Sequence, residues 1–252
     1  MTGLPLTVIG GYLGAGKTTL INRILAMDHG LRLVVLVNDF GAINIDAQML
    51  ASSSEDTIAL TNGCVCCTMS ADLFMAVGRL LDRADRPDHL IVEASGIGNP
   101  ARIANLALAE PELRYSGIVS VVDGVNFPTF ARDPQIGPQV SEQVQVADLV
   151  AISRTDATDE GIWALLTDLG VTRAVPAEDI ESIMALSLEK GLSGSIADRD
   201  ISPHPSYRHW TSPDPVPMTR SEIECHVRTR PDGVLRLKGL SRIVPVAAGK
   251  YM

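Results

Sequence analysis

Gly11-Tyr12-Leu13-Gly14-Ala15-Gly16-Lys17-Thr18 fits the pattern G-x-x-x-x-G-K-[ST], and its flanks give it a structural context. An apolar run, Leu6-Thr7-Val8-Ile9, precedes it, and Thr19-Leu20-Ile21-Asn22-Arg23-Ile24-Leu25 follows with helical spacing. Strand, glycine-rich turn and helix in that order make a phosphate cradle. The glycines let backbone N–H groups point inward, and the positive end of the helix dipole faces the same anion. Gly11, Gly14, Ala15, Gly16, Lys17, Thr18 and Thr19 are therefore the candidate phosphate-binding residues. Lys17 is expected to reach the β- and γ-phosphates and the Thr18 hydroxyl to ligate Mg²⁺.

Working outward, the first ~155 residues alternate β-rich runs with helical stretches. The apolar runs 6–9, 33–37, 57–60, 89–92, 117–122 and 149–152 suit strands buried on both faces. Helical patterns lie at 71–84, 100–109, 141–147 and 159–169. This alternation predicts an α/β fold of the P-loop type: a mainly parallel sheet covered by helices, with a small C-terminal β appendage. Residues 1–201 form the nucleotide-binding domain in this reading. Residues 202–218 are a linker with five prolines, Pro203, Pro205, Pro213, Pro215 and Pro217. In 219–252, Ile223, Cys225 and Val227 alternate with polar residues, Pro231-Asp232-Gly233 marks a turn, and 243–246 offers one more strand. Cys225 is expected in the core of that piece. So small a β unit must pack on the main domain or on another subunit, which leaves a homo-oligomer open.

Composition narrows the function classes. The 252 residues carry a net charge of −9 with no long basic run, which argues against nucleic-acid and anionic-membrane partners. No apolar stretch approaches the ~20 residues of a membrane span. Met1-Thr2-Gly3-Leu4-Pro5 lacks the pattern of a signal peptide, so a cytoplasmic location is expected.

Other motifs surround the phosphate cradle. The run 89–92 ends in Glu93, with Gly96 beyond it; a carboxylate there holds Mg²⁺ directly or through water, and a glycine lets backbone approach the γ-phosphate. After the run 149–152 comes Ser153-Arg154-Thr155-Asp156, where guanine-binding proteins usually carry N-K-x-D. Asp156 would accept the two guanine donors that adenine lacks, and Arg154 can stack on a purine. Asn38-Asp39-Phe40-Gly41 leaves the second strand where a switch loop belongs, with Asp39 the candidate to contact metal-bound or attacking water. Asn62-Gly63-Cys64-Val65-Cys66-Cys67 places three thiols within four residues. Such a cluster suits a soft metal with one exchangeable position; redox-active and buried, inert cysteines are the alternatives.

The P-loop, Glu93-x-x-Gly96, Gly63-Cys64-Val65-Cys66-Cys67 and Asn38-Asp39-Phe40-Gly41 together resemble the CobW-like branch of the G3E P-loop GTPases, metallochaperone type. The likeness covers residues 5–156 well and 219–246 weakly, where Leu235-Arg236-Leu237-Lys238-Gly239 looks like the family's R-x-K-G strand. It implies a GTPase that cycles between GTP and GDP with Mg²⁺ and delivers zinc or cobalt to a metal-requiring client protein. Cys64, Cys66 and Cys67 would be the Zn²⁺ or Co²⁺ motif. Three departures stand out: Ala42 replaces the family's acid after the switch-loop glycine, the guanine motif is Ser153-Arg154-Thr155-Asp156, and the C-terminal domain is shortened. The rival reading is a nucleotide-binding regulatory or assembly partner with redox or structural cysteines. A P-loop kinase fits less well, since the chain shows no clear lid segment.

Overall fold

The computed structural model describes residues 3–37, 57–59, 71–154, 160–189 and 218–229. Contacts divide the chain into two units, Met1–Ser206 and Tyr207–Met252. The first is built on a seven-stranded, all-parallel sheet. Its strands are β1 (Leu4–Gly10), β2 (Leu33–Val37), β3 (Thr57–Ala59), β4 (His89–Glu93), β5 (Leu113–Asp123), β6 (Leu149–Ser153) and β7 (Ala174–Pro176). Their order is β3-β2-β4-β1-β5-β6-β7. The chain thus fills one side of β1 before crossing to the other. That reversal leaves a crevice at the carboxyl ends of the central strands, where ligands bind in open α/β sheets.

Period-two side-chain alternation sorts the apolar residues onto two faces. Leu6, Val8, Val34, Leu36, Leu90 and Val92 pack with α2 (Ala71–Leu81), α3 (Pro100–Ala104) and α4 (Leu106–Ala109). Ile9, Val35, Val37 and Ile91 pack with α1 (Lys17–Ala26) and α8 (Ile180–Met184). A third cluster joins Val122, Val150 and Ile152 to α5 (Phe127–Ala131), α6 (Gly137–Gln145) and α7 (Glu160–Asp168). Because β2 and β4 are covered on both faces, they read as unbroken apolar runs rather than alternating ones.

The six expected strands are present, and most differences are at ends. The helix expected over 100–109 is two pieces that meet at Asn105. The helix expected over 141–147 begins at Gly137, because Pro138 suits a first helical turn. Short β7, α5 and α8 carry too few residues for a periodic signal. The strand expected at Ile223, Cys225 and Val227 is instead helix α9 (Arg220–Arg228). Thr219 and Glu222 form a reciprocal capping box, and that local hydrogen bonding outweighs a three-residue alternation. Cys225 is exposed, which corrects its assignment to a core. The other strands expected in the C-terminal segment, and most of the Pro-rich segment, lie outside the described residues.

One polar contact crosses the buried sheet. His89 Nε2 lies 2.8 Å from Thr7 Oγ1, and Thr7 Oγ1 donates to the Ser187 carbonyl at 3.2 Å. Ser187 sits in a π-helical turn, Ala185–Glu189, and its carbonyl also accepts from Ser116 Oγ at 2.9 Å. Thr7 has a single proton to give, so His89 donates through Nε2. Burial, aided by the Arg114 charge, lowers its pKa from 6.5 to about 4. Between those values the unfolded chain binds a proton that the native chain lacks. Stability is therefore full above pH 6.5 and falls by about 3 kcal/mol as pH drops to 4. Urea unfolding across this window should show the decline, and His89→Leu should remove that part of it, since Thr7 keeps Ser187 as its acceptor.

Candidate functional site

The loop between β1 and α1 is fixed by close backbone approach and by one aromatic anchor. Gly11 has φ +130°, and a Cβ there would lie 2.3 Å from the Val121 carbonyl oxygen of β5, so only glycine fits. Ala15 N–H donates to the Tyr12 carbonyl at 3.2 Å, closing a turn. The Tyr12 ring is buried and meets Phe130 of α5 edge to face, with centroids 5.6 Å apart. Gly16 caps α1 in a left-handed conformation. Helix α1 has no side-chain cap and no acid in its first turn, which leaves its leading N–H groups to an anion.

Two polar side chains of α1 turn into this loop. Lys17 is 5% exposed, and its Nζ donates to the carbonyls of Gly11 at 2.9 Å and Tyr12 at 3.3 Å. Thr18 Oγ1 donates to Glu93 Oε1 at 3.1 Å. Register explains that meeting: Glu93 ends β4 opposite Ile9 of β1, and Ala94 N–H donates to the Ile9 carbonyl. Glu93 is 2% exposed, so its carboxylate is held inside the sheet edge. Gly96 follows, packed so closely on the loop that a Cβ would meet Leu13 N at 3.0 Å and Leu13 Cδ2 at 2.6 Å. The exposed Thr19 begins the outer face of α1.

The segment after β6 is latched to the same loop. Ser153 Oγ donates to the Ala15 carbonyl at 2.8 Å and lies 3.3 Å from the Val122 carbonyl. A serine in place of the usual asparagine thus still reaches the loop backbone. Arg154 takes φ +55°, uncommon for a non-glycine residue, and pairs with Asp123 at the end of β5. Its guanidinium also lies 3.4 Å from the Gly14 carbonyl. Asp123 itself is buried and accepts from the N–H groups of Val125 and Asn126.

Lys17, Thr18, Glu93, Gly96 and Arg154 are thus gathered around one loop at the carboxyl edge of the sheet. Asp39, Cys64, Cys66, Cys67 and Asp156 lie outside the described residues. Among the described residues, no cluster of three or more His, Cys, Asp or Glu could hold a metal. Sequence reasoning missed Asp123 and the glutamines Gln139 and Gln143 of α6, which reach the backbone around Gly96. The signal for Asp123 was available: it ends an apolar run next to a glycine, as Glu93 nearly does.

The family model described as CobW/HypB/UreG, nucleotide-binding domain, matches residues 5–172. The chain belongs to the CobW/HypB/UreG family. Among its relatives, the zinc chaperone CobW of Sinorhizobium sp is 35% identical in an alignment that covers 78% of this chain and 66% of that one. The zinc chaperone YjiA of Escherichia coli (strain K12) is 34% identical in an alignment that covers 64% of this chain and 52% of that one. The chain therefore spans about half to two thirds of the length of these curated relatives. The crystal structure of HypB from Helicobacter pylori in complex with nickel superposes with TM-score 0.56 at 18% identity. That alignment covers 77% of this chain and 92% of HypB, and it supports the fold.

Gly96→Ala should push Leu13 out of place, because its backbone N is one of the crowded atoms. The expected result is nucleotide affinity weakened by about tenfold, or 1.4 kcal/mol, measured by calorimetric titration, with the fold retained in circular dichroism.

Proposed function

We propose that this chain is a GTPase that couples its nucleotide state to zinc transfer. The observation that carries the reading is the meeting of Thr18 Oγ1 with Glu93 beside the buried Lys17, inside the family's nucleotide-binding domain. A hydroxyl and a carboxylate 3.1 Å apart are hard oxygen donors and fit Mg²⁺. When bound, that ion would neutralise charge developing on the phosphates. Lys17 would exchange its two loop carbonyls for phosphate oxygens. Gly11, Gly14, Ala15 and Gly16 shape the cradle, and the leading N–H groups of α1, including those of Thr18 and Thr19, face the anion. Asp39 is the assigned contact for the attacking water, and Asp156 reads the guanine edge, with Arg154 beside the base.

Zinc is the cargo. Relatives carry the name zinc chaperone, and three thiolates, Cys64, Cys66 and Cys67, suit Zn²⁺ with a fourth position open for exchange; Co²⁺ is the second candidate. Sheet geometry supports coupling between cargo and nucleotide. Ala59 of β3 pairs with Val37 of β2, and Val37 pairs with Glu93 of β4. The strand that leads into the cysteine segment therefore ends in the same transverse row as Glu93, about 10 Å away across two strand spacings. A shift at Glu93 on hydrolysis would be felt at the end of β3, five residues before Cys64 in the sequence. A metal-requiring client protein would receive the ion.

The reading is tested by hydrolysis assays with GTP and ATP in competition. GTP should be preferred and ATP should compete poorly. Lys17→Ala should lower kcat by about 10²–10³-fold. ATP preference, or full activity in Lys17→Ala, would contradict the assignment. Cys66→Ser should abolish tight Zn²⁺ binding in a chelator competition while GTP binding is kept; unchanged zinc affinity would refute the thiol pocket.

A further inference from the structure

Helix α6 grips the backbone that follows Glu93. Gln143 Nε2 donates to the carbonyls of Gly96 at 3.2 Å and Gly98 at 2.8 Å. Gln139 Nε2 donates to the carbonyl between them, that of Ile97. Glu142 Oε1 accepts from Asn99 Nδ2 at 2.8 Å, and Asn99 in turn caps α3. Residues 139, 142 and 143 stand at i, i+3 and i+4, so one face of one helix reads four consecutive residues of the loop. Both carboxamides are buried, Gln143 to 1% exposure and Gln139 to 7%. Carbonyls can only accept, so each glutamine turns its NH₂ group toward the loop. Long polar side chains are seldom buried this fully without a specific partner.

We infer that Gln143, assisted by Gln139, is a positioning residue that sets the peptide planes of the Gly96–Gly98 loop for the γ-phosphate. The inference rests on the GTPase reading above. Peptide units are planar, so holding these three carbonyls toward α6 fixes the units that carry the N–H groups of Ile97, Gly98 and Asn99. Gly98 N–H in turn donates to the Ser95 carbonyl at 2.9 Å, which fixes the Ser95–Gly96 unit and so the direction of the Gly96 N–H. Loss of these donors leaves buried carbonyls unpaired and lets the loop rotate. GDP binding relies on Lys17, Thr18 and the α1 terminus, none of which touches α6 through these bonds. The clamp should therefore discriminate the triphosphate from the diphosphate.

The test compares the affinities of the full chain for a non-hydrolysable GTP analogue and for GDP. Gln143→Met keeps the side-chain volume and removes both donors. It should lower the analogue-to-GDP affinity ratio by about tenfold, within the usual range of coupling effects. GDP affinity should stay unchanged and kcat should fall. Gln139→Met, which frees only the Ile97 carbonyl, should move the ratio in the same direction by less. Val144→Ala, a core change on the same helix, should lower thermal stability and leave the ratio alone. An unmoved ratio in both glutamine variants, or an equal shift in Val144→Ala, would overturn the inference while the GTPase reading stands. Failure of the unmodified chain to bind either nucleotide would overturn both.

Discussion

The parallel pairing of β1 with β4, Ile9 opposite Glu93, is the constraint on which the site depends. It brings a carboxylate from one strand end to a hydroxyl in the first turn of α1, although 75 residues separate them. A one-residue slip would exchange the side chains that pack on α2, α3 and α4 with those that pack on α1 and α8, so the fit of two different cores holds the register. The meeting of Thr18 with Glu93 is thus inherited from the packing of Leu6, Val8, Leu90 and Val92. Crowding completes it: Gly11 lies on the Val121 carbonyl and Gly96 on Leu13, so the loops have little room to drift.

The same sheet edge carries three further contributions. Asp123 ends β5 and holds Arg154, Ser153 ends β6 and holds the Ala15 carbonyl, and Ala59 ends β3 where the chain enters the cysteine segment. All strands run one way, so their ends collect on one side of the domain. On the far face of the central crevice, α6 holds the Gly96–Gly98 backbone through carboxamides rather than apolar contact. Directional bonds define a loop conformation more sharply than packing can, which suits a segment that must distinguish two phosphate lengths.

Much of this was legible in the sequence because the signals were local. The octet at 11–18 needs only its own spacing and a strand before it, and Glu93 announces itself by ending an apolar run. The bonds of Gln139 and Gln143 were not legible, because their partners are backbone carbonyls more than forty residues away that leave no mark on side-chain chemistry. The bond of Ser153 was hidden for a related reason: its hydroxyl donates to a backbone carbonyl, that of Ala15, 138 residues away in the sequence. At 220–228 the error ran the other way. Alternation of three apolar residues looked like a strand, yet Thr219 and Glu222 supplied a helix start that local hydrogen bonding made decisive.

Coupling of nucleotide to metal is the central claim, and thermodynamic linkage makes it measurable from either end. The most direct measurement is a Zn²⁺ titration of the fully reduced chain against a competing chelator, once with GDP bound and once with a non-hydrolysable GTP analogue. With coupling, zinc affinity should differ by about 5–150-fold between the two states. Equal affinities would contradict it, leaving a metal site and a nucleotide site on one sheet with no exchange of free energy between them.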